Sequence, residues 1–545
     1  MERIGRALAK TLAFAIAGSL AAVGTPAPAR AGVTVISDGG PPEPGDWIIR
    51  HLSSEPGTLN PIIATDAYEG VVNQGIYETL LKRDNASLEL IPLLATGWEI
   101  GDDKLTFTFH LRRDVRWHDG APFTADDIVF SYERIQDPTV NAPHLRVYYI
   151  DIDRVEKLDD FTVRFHYKKP YFRALEFCGG LPIVPKHVFE KGDFNRNPAG
   201  RAPVGTGPYR FVRWATGKEI VLTRNDAYWG KPAPLERIVF RVITDDSAGL
   251  QVFKKRELDV IGLTPFQWER QTESARFERL SRKVSYYRPY YNYLGWNLRR
   301  PYFSDKRVRR ALTQLVDRDK ILAKLLYGLG KVVTGNFYVN SRDYDASIKP
   351  WPYDPPAAKK LLAEAGWIDH DGDGVLDKDG VAFRFTFIIS AGSTFAEQLS
   401  TILKEELARV GIEMAIEKFE WAVFIDKIDG RDFDATSLGW SLGVESDPYQ
   451  LWHSSQAEKG SNFVGFRNAE ADRIIEAARI EFDADRRMKM YHRFHEILHE
   501  EQPYTFLFCT AALVAFDRRF DGVNLYPLGV DTLEWWTPVG ERLYR

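Results

Sequence analysis

His495-Glu496-Ile-Leu-His499 places two imidazoles at i and i+4 with a glutamate between them. On a helix this spacing offers zinc two ligands and a general base, the chemistry of a metallopeptidase. A catalytic zinc needs a third protein ligand, and the helix must stop at Pro503 without an obvious one nearby. Met490, Tyr491, Phe494, Ile497 and Leu498 give the same helix an apolar stripe, which predicts packing instead. A second cluster has oxygen chemistry. Asp369, Asp371, Asp373, Gly374 and Asp377 occupy positions 1, 3, 5, 6 and 9 of a calcium loop. Gly380 stands at position 12, where a bidentate glutamate would complete the set. The spacing predicts a structural calcium on Asp369, Asp371, Asp373 and Asp377, against the alternative of a solvated acidic turn. No other cofactor is required. Gly328-Leu-Gly330-Lys331 lacks the first glycine and the hydroxyl residue of a phosphate loop. Serine or cysteine triads are spatial and cannot be read from order alone.

These residues must be positioned by regular elements. Short alternating strands dominate up to about residue 290, among them Thr162–Tyr167, Tyr209–Trp214, Ile220–Arg224 and Ile238–Val242. Beyond 300, helical periods appear: Val308, Ala311, Leu312 and Leu315 share one face. Phe395–Val410 predicts an amphipathic helix stopped by Gly411, then a strand through Ile412, Met414 and Ile416. The acidic loop lies between a predicted helix, Pro355–Gly366, and a predicted strand, Phe383–Ile389, so it is not an EF-hand pair. The pattern is mixed α/β with at least two lobes.

Composition bounds the function. The chain has 545 residues, 44% hydrophobic and 27% charged, enough for two or three domains. Aromatic residues reach 13%, a surplus that suits a ligand cavity. Arg3, Arg6 and Lys10 precede the short apolar stretch Thr11–Val23, and Ala29-Arg30-Ala31 is a cleavage site, so residues 1–31 read as a signal peptide. No cysteine follows for lipid attachment, which predicts a free periplasmic protein. Removing 1–31 takes away four bases and one acid, moving the net charge from −4 to −7. Nothing favours nucleic acid, which calls for a basic face. Cys178 and Cys509 stand far apart in sequence and read as buried small residues more readily than as a disulfide. Asp38–Gly45, rich in Gly and Pro, reads as a flexible arm.

Several segments share wording with one family. After the strand Leu105–Leu111 come the turn His118-Asp119-Gly120 and the capping box Thr124–Asp127. Glu55–Pro61 (EPGTLNP), Val204–Tyr209 (VGTGPY), Asn225–Trp229, Tyr293–Asn297, Ser304–Leu312 and Phe433–Tyr449 extend the match over the mature chain. Together they resemble the family 5 extracytoplasmic solute-binding proteins, the dipeptide and oligopeptide receptors of ABC importers. The resemblance implies a two-lobed, Venus-flytrap α/β fold with an inserted third domain. It places lobe I at 32–77, 204–291 and 511–545, the inserted domain at 78–203 and the second ligand-enclosing lobe at 292–510.

It also implies a site. In the family's peptide receptors an aspartate shortly after a Gly-Trp pair holds the peptide ammonium. Here Gly443 stands three places after Trp440, and the carboxylates come later, at Glu445 and Asp447. Either can supply the anion; Asp447-Pro448 can also be a plain turn. Thr65, Asp66, Ala67 and Tyr68 align with the loop that contributes backbone contacts, and Trp440 is expected on the cavity wall. The implied function is non-enzymatic: a monomer captures short peptides by lobe closure and delivers them to an inner-membrane permease. The alternatives are a family receptor for a nickel complex, haem or an oligosaccharide, a chaperone-like protein, and a zinc peptidase using His495, Glu496 and His499.

Overall fold

The computed structural model describes residues 32–544 apart from 38 and 459. The signal sequence and the first residue of the Gly/Pro lead lie outside the described residues. Three sheets organise the rest.

The first sheet has the strand order Ser281–Tyr287, Phe508–Asp517, Val260–Gly262, Trp47–Leu52, Arg237–Val242, Glu219–Arg224, Tyr209–Ala215, with Gly330–Val332 pairing off this path onto Phe508–Asp517. Its central strands are apolar on both faces. Ile48, Ile220, Leu222, Ile238 and Phe240 enter one core, whereas Ile49, Val221 and Val239 enter another. Continuous apolar runs are what a doubly covered sheet demands. Trp47–Leu52 pairs in parallel with Arg237–Val242, Ile48 opposite Ile238.

The second sheet runs Glu413–Phe419, Arg384–Ser390, Ala435–Ser441, Tyr290–Trp296, Tyr504–Phe506. Its first two strands are parallel, and the helix Thr394–Ala408 connects them. Phe385, Phe387, Ile389, Leu294 and Trp296 face one core; Ile388, Tyr291 and Tyr293 face the other. The third sheet is antiparallel, in the order Ala95–Ile100, Thr106–Leu111, Thr162–Tyr167, Ile152–Asp159, and is covered by the helix Ala125–Gln136. Asp127 in the first turn of that helix accepts from Thr124 N at 3.0 Å, Trp117 Nε1 at 3.2 Å and Lys186 N at 2.9 Å.

The result is a two-lobed α/β fold with a third, strand-built unit. The chain passes from the first sheet to the second at 288–289 and returns at 507, and Leu507 N donates to Asn292 O at 2.9 Å beside the outgoing strand. The two crossings therefore lie side by side. The shared sequence motifs lock to one another. The His118 ring accepts from Gly205 N at 3.1 Å through Nδ1, and its Nε2 lies 2.9 Å from Gly207 O. A Cβ at Gly205 would stand 1.9 Å from Ile76 O, so only glycine lets these chains cross. Burial pushes the His118 imidazole down to about 4.

The Gly/Pro lead is more anchored than a flexible arm. Thr34–Ser37 pairs with Val523–Tyr526, Gly45 N donates to Pro234 O at 2.9 Å, and Glu43 accepts from Val539 N at 2.9 Å. Cys178 and Cys509 are free and buried in separate cores. Among the described residues no helix is long and apolar enough to cross a membrane.

Candidate ligand site

Loop 60–68 is braced by one buried carboxylate. Glu69 accepts from Thr58 N at 3.1 Å, Thr65 N at 2.5 Å and Asp66 N at 3.0 Å. Asp66 caps the helix Ala67–Asn73, accepting from Tyr68 N and Glu69 N, so its carboxylate is already engaged. Thr65 and Ala67 are exposed, and the Tyr68 hydroxyl lies 2.7 Å from Ser53 Oγ. These backbone bonds fix the loop as a rigid edge.

In the second sheet, Trp440 lies on Ala435–Ser441 opposite Tyr291. Its ring stacks on Phe463 at 5.7 Å, and Nε1 is 3.5 Å from the Tyr504 hydroxyl. Tyr504 in turn stacks on Tyr293 at 3.8 Å, so Trp440 is the half-buried edge of an aromatic core.

Asp447, one of the two carboxylates expected to meet the ammonium, is already engaged within the fold. Its Oδ2 lies 3.0 Å from Arg479 Nε and accepts from the Tyr171 hydroxyl at 3.0 Å, while Oδ1 accepts from Tyr449 N at 3.0 Å. Arg479 also approaches Asp151 at 3.7 Å and lies between the rings of Tyr171 and Tyr449, at 4.7 and 4.5 Å. Around this clamp Tyr148 donates to Gln450 at 2.7 Å, Phe172 N donates to Arg479 O at 2.9 Å, and Arg487 covers the Phe172 ring at 4.0 Å. The strand-built unit is thereby joined to the second lobe. Arg173 Nε pairs with Glu176 at 2.7 Å, which also pairs with Arg83 at 2.8 Å. Burial alone would raise Glu176, but Arg173 and Arg83 outweigh it and hold its carboxyl below the usual range.

Glu445 keeps its carboxylate unengaged by any hydrogen bond or ion pair among the described residues, and so does Asp343 on loop 340–345. Burial raises the Asp343 carboxyl; Arg487 opposes that shift, and the charge of Glu445 adds to it. The Tyr491 hydroxyl is buried without a hydrogen-bond partner, and its electrostatic neighbours include Asp447, Asp343 and Arg487. Sequence reasoning missed Asp343, Tyr171 and Arg479. Their relation is set by contacts between segments more than a hundred residues apart, which no local pattern records.

The zinc motif is dispersed. His495 Nε2 lies 2.9 Å from Thr334 Oγ1, and Nδ1 accepts from Asp345 N at 3.2 Å, so both ring nitrogens are used. His499 stacks on Trp351 at 5.2 Å, and Glu496 pairs with Arg493 at 2.8 Å. Burial pushes both histidines down to about 4. In the acidic loop, Asp369, Asp371 and Asp373 bring carboxylate oxygens within 4.8 Å of one another. Asp377 leaves that set: its two oxygens face His370 N and Nδ1, both at 2.9 Å. The fourth predicted ligand is thus corrected to a partner of His370. The three remaining carboxylates fit a hard cation only if backbone oxygens or water complete the shell.

Comparison with known proteins gives a consistent picture. The sequence model of the bacterial extracellular solute-binding proteins, family 5, matches residues 89–462. The oligopeptide-binding protein AppA of Bacillus subtilis is 31% identical over 518 residues, covering 92% of this chain and 93% of that protein. The structure of that AppA in complex with a nonapeptide superposes with a TM-score of 0.82 at 30% identity, covering 91% of this chain and 100% of the other. NikZ from Campylobacter jejuni in complex with Ni(L-His) gives 0.79 at 26% identity, covering 91% and 100%.

Proposed function

This chain belongs to family 5 of the bacterial extracellular solute-binding proteins, and from that membership we propose that it captures short peptides for an ABC importer. The observation that carries the reading is the likeness, over nearly the whole chain, to an oligopeptide-binding protein and to its nonapeptide complex. In this reading residues 1–31 direct secretion to the periplasm, and the mature monomer hands its ligand to an inner-membrane permease. In this reading the lobes are 32–77 with 204–291 and 511–545, and 292–510, with 78–203 inserted.

Capture proceeds by closure about the hinge at 288–289 and 507. The peptide backbone pairs with loop 65–68 as an added strand would, which gives affinity without demanding particular side chains. Glu445 and Asp343 supply negative charge for the peptide ammonium, since a cation enclosed without a counter-charge is expensive. A second reading, a chelated metal ion as cargo, has the likeness to NikZ in its favour.

Mass spectrometry of ligand released by denaturation, with melting curves against peptides of two to nine residues, tests the proposal. Peptides should raise the melting temperature, as any ligand selective for the native state does. Glu445→Gln should weaken a free peptide more than its N-acetylated form, and Asp343→Asn should do the same. Metal chelates that stabilise the protein while no peptide does would overturn the peptide reading. Peptide hydrolysis abolished by His495→Ala would overturn the non-enzymatic one.

A further inference from the structure

On lobe I, away from the ligand site, two cavities of about 320 and 470 Å³ adjoin; Arg256, Leu280 and Asp517 line both. Lys254, Lys255 and Arg276 line the first, and Arg279, Arg282 and Arg518 line the second. None of these six cations forms an ion pair among the described residues. Arg282 and Arg518 donate only to main-chain oxygens, those of Phe520 at 3.4 Å and Glu278 at 2.8 Å. The carboxylate shared by both cavities, Asp517, is already held by Arg256 at 2.9 Å. Asp521 accepts from Ser37 Oγ, and Glu541 lies at the rim of the second cavity.

This arrangement runs against the charge of the whole. The mature chain is net negative, yet one groove gathers six cations that form no ion pair among the described residues. Arg282 is depressed by burial and further by its like-charged neighbour Arg518, with Asp521 and Glu541 opposing. Like charges held in a concave, partly desolvated surface focus a positive potential. An anion entering the groove relieves that repulsion. Guanidinium groups suit phosphate oxygens, which they can bond in pairs, and the lysines add point charges.

We propose that this groove is an anion site that binds phosphate groups, its two connected cavities taking neighbouring phosphoryl groups of one polyanion or of an anionic lipid surface. The site is independent of the peptide reading.

The test uses the mature protein and the variant Lys255→Gln/Arg276→Gln/Arg279→Gln. None of these three side chains makes a hydrogen bond or ion pair among the described residues, so the melting temperature should hold. Titration calorimetry with sodium tripolyphosphate at low salt should show binding that weakens about tenfold in the variant, the sum of three modest exposed pairs. It should also weaken steeply with added salt. Co-sedimentation with phosphatidylglycerol vesicles, against phosphatidylcholine vesicles, separates the sources. Variant-sensitive binding to tripolyphosphate alone assigns a soluble phosphate compound, and variant-sensitive sedimentation assigns the lipid surface. Absence of binding to both probes, or binding equal in the parent and the variant, overturns the site.

Discussion

Arg519 and Arg479 each gather two or more aspartates and two aromatic rings, but they sit in different mechanical settings. Arg519 binds Asp46 at 3.1 Å and also Asp259, beneath the rings of Phe520 and Tyr544. Its side chain is 1% exposed, and those of Asp46 and Asp259 are fully buried. Asp259 also accepts from Ile49 N at 2.7 Å, so the cluster ties strands of one sheet. Arg479 holds Asp447 and Asp151 between Tyr171 and Tyr449, but its side chain is 17% exposed and its partners come from two different units. Water can reach the second cluster if those units part, and cannot reach the first without unfolding a lobe. The same chemistry is therefore permanent in one place and reversible in the other.

Replacing Arg519 is the strongest way to break this comparison. Arg519→Met leaves at least two carboxylates buried without a cation, which should cost on the order of 3–5 kcal/mol. Urea unfolding followed by tryptophan fluorescence measures it. Adding Asp46→Asn and Asp259→Asn should recover part of the loss, because the uncompensated charges are then gone. A cost below about 1 kcal/mol would mean that water already enters the cluster.

Acid sharpens the distinction between sealed and solvent-reached groups. His495 is buried and held near 4, against an ordinary value of 6.5. Its folded pKa is depressed, so between 6.5 and about 4 the unfolded chain binds the proton more readily. Stability should therefore fall as pH falls through that window and level off below it, by up to about 3 kcal/mol for one such histidine. His118 adds the same trend in the first half of the chain. The slope of unfolding free energy between pH 7 and pH 4.5 checks this, and His495→Gln should flatten it.

The sequence carried the fold better than the site, for a physical reason. Strand periods and the helix through Val308 and Leu312 are local, and the VGTGPY and WHDG wording proved to be two sides of one contact, His118 on Gly205 and Gly207. The nine residues Met490–Leu498 around His495 also contained its packing stripe. Charge pairing was not local. Asp447 looked available because Arg479 and Tyr171 approach it from segments distant in sequence. Asp377 looked like a ligand because spacing does not show which way a side chain turns.

Arg479→Ala should have a smaller effect on stability than Arg519→Met, about 1 kcal/mol or less, because its partners can be rehydrated. Its larger effect should be on peptide affinity, by several-fold, since one contact between the inserted unit and the second lobe is lost on closure. Calorimetry with a peptide, together with small-angle scattering of the free and bound protein, measures both parts. A loss of stability equal to that of Arg519→Met would erase the distinction between the two clusters.

The smallest expected effect concerns a third arginine. Arg384 is exposed and lies 3.3 Å from Asp373 while also pairing with Glu413 at 2.5 Å. It stands beside Asp369, Asp371 and Asp373, the three carboxylates proposed to hold calcium. Here the arginine is neither a permanent clamp nor a reversible one; it competes with the ion for Asp373. With three carboxylates and no bidentate glutamate, calcium should bind weakly, in the range of about 10⁻⁴–10⁻³ M found for extracellular modules. Millimolar calcium should then raise the melting temperature slightly, as binding to the native state requires. Arg384→Ala should shift half-saturation to a lower calcium concentration by a few-fold, because a competing charge near the ion is removed. Asp371→Asn should shift it the other way, and neither change should alter peptide affinity. Calorimetric titration with calcium chloride on the chelator-treated protein decides the matter, and no heat at millimolar calcium in all three proteins would leave the loop as a solvated turn.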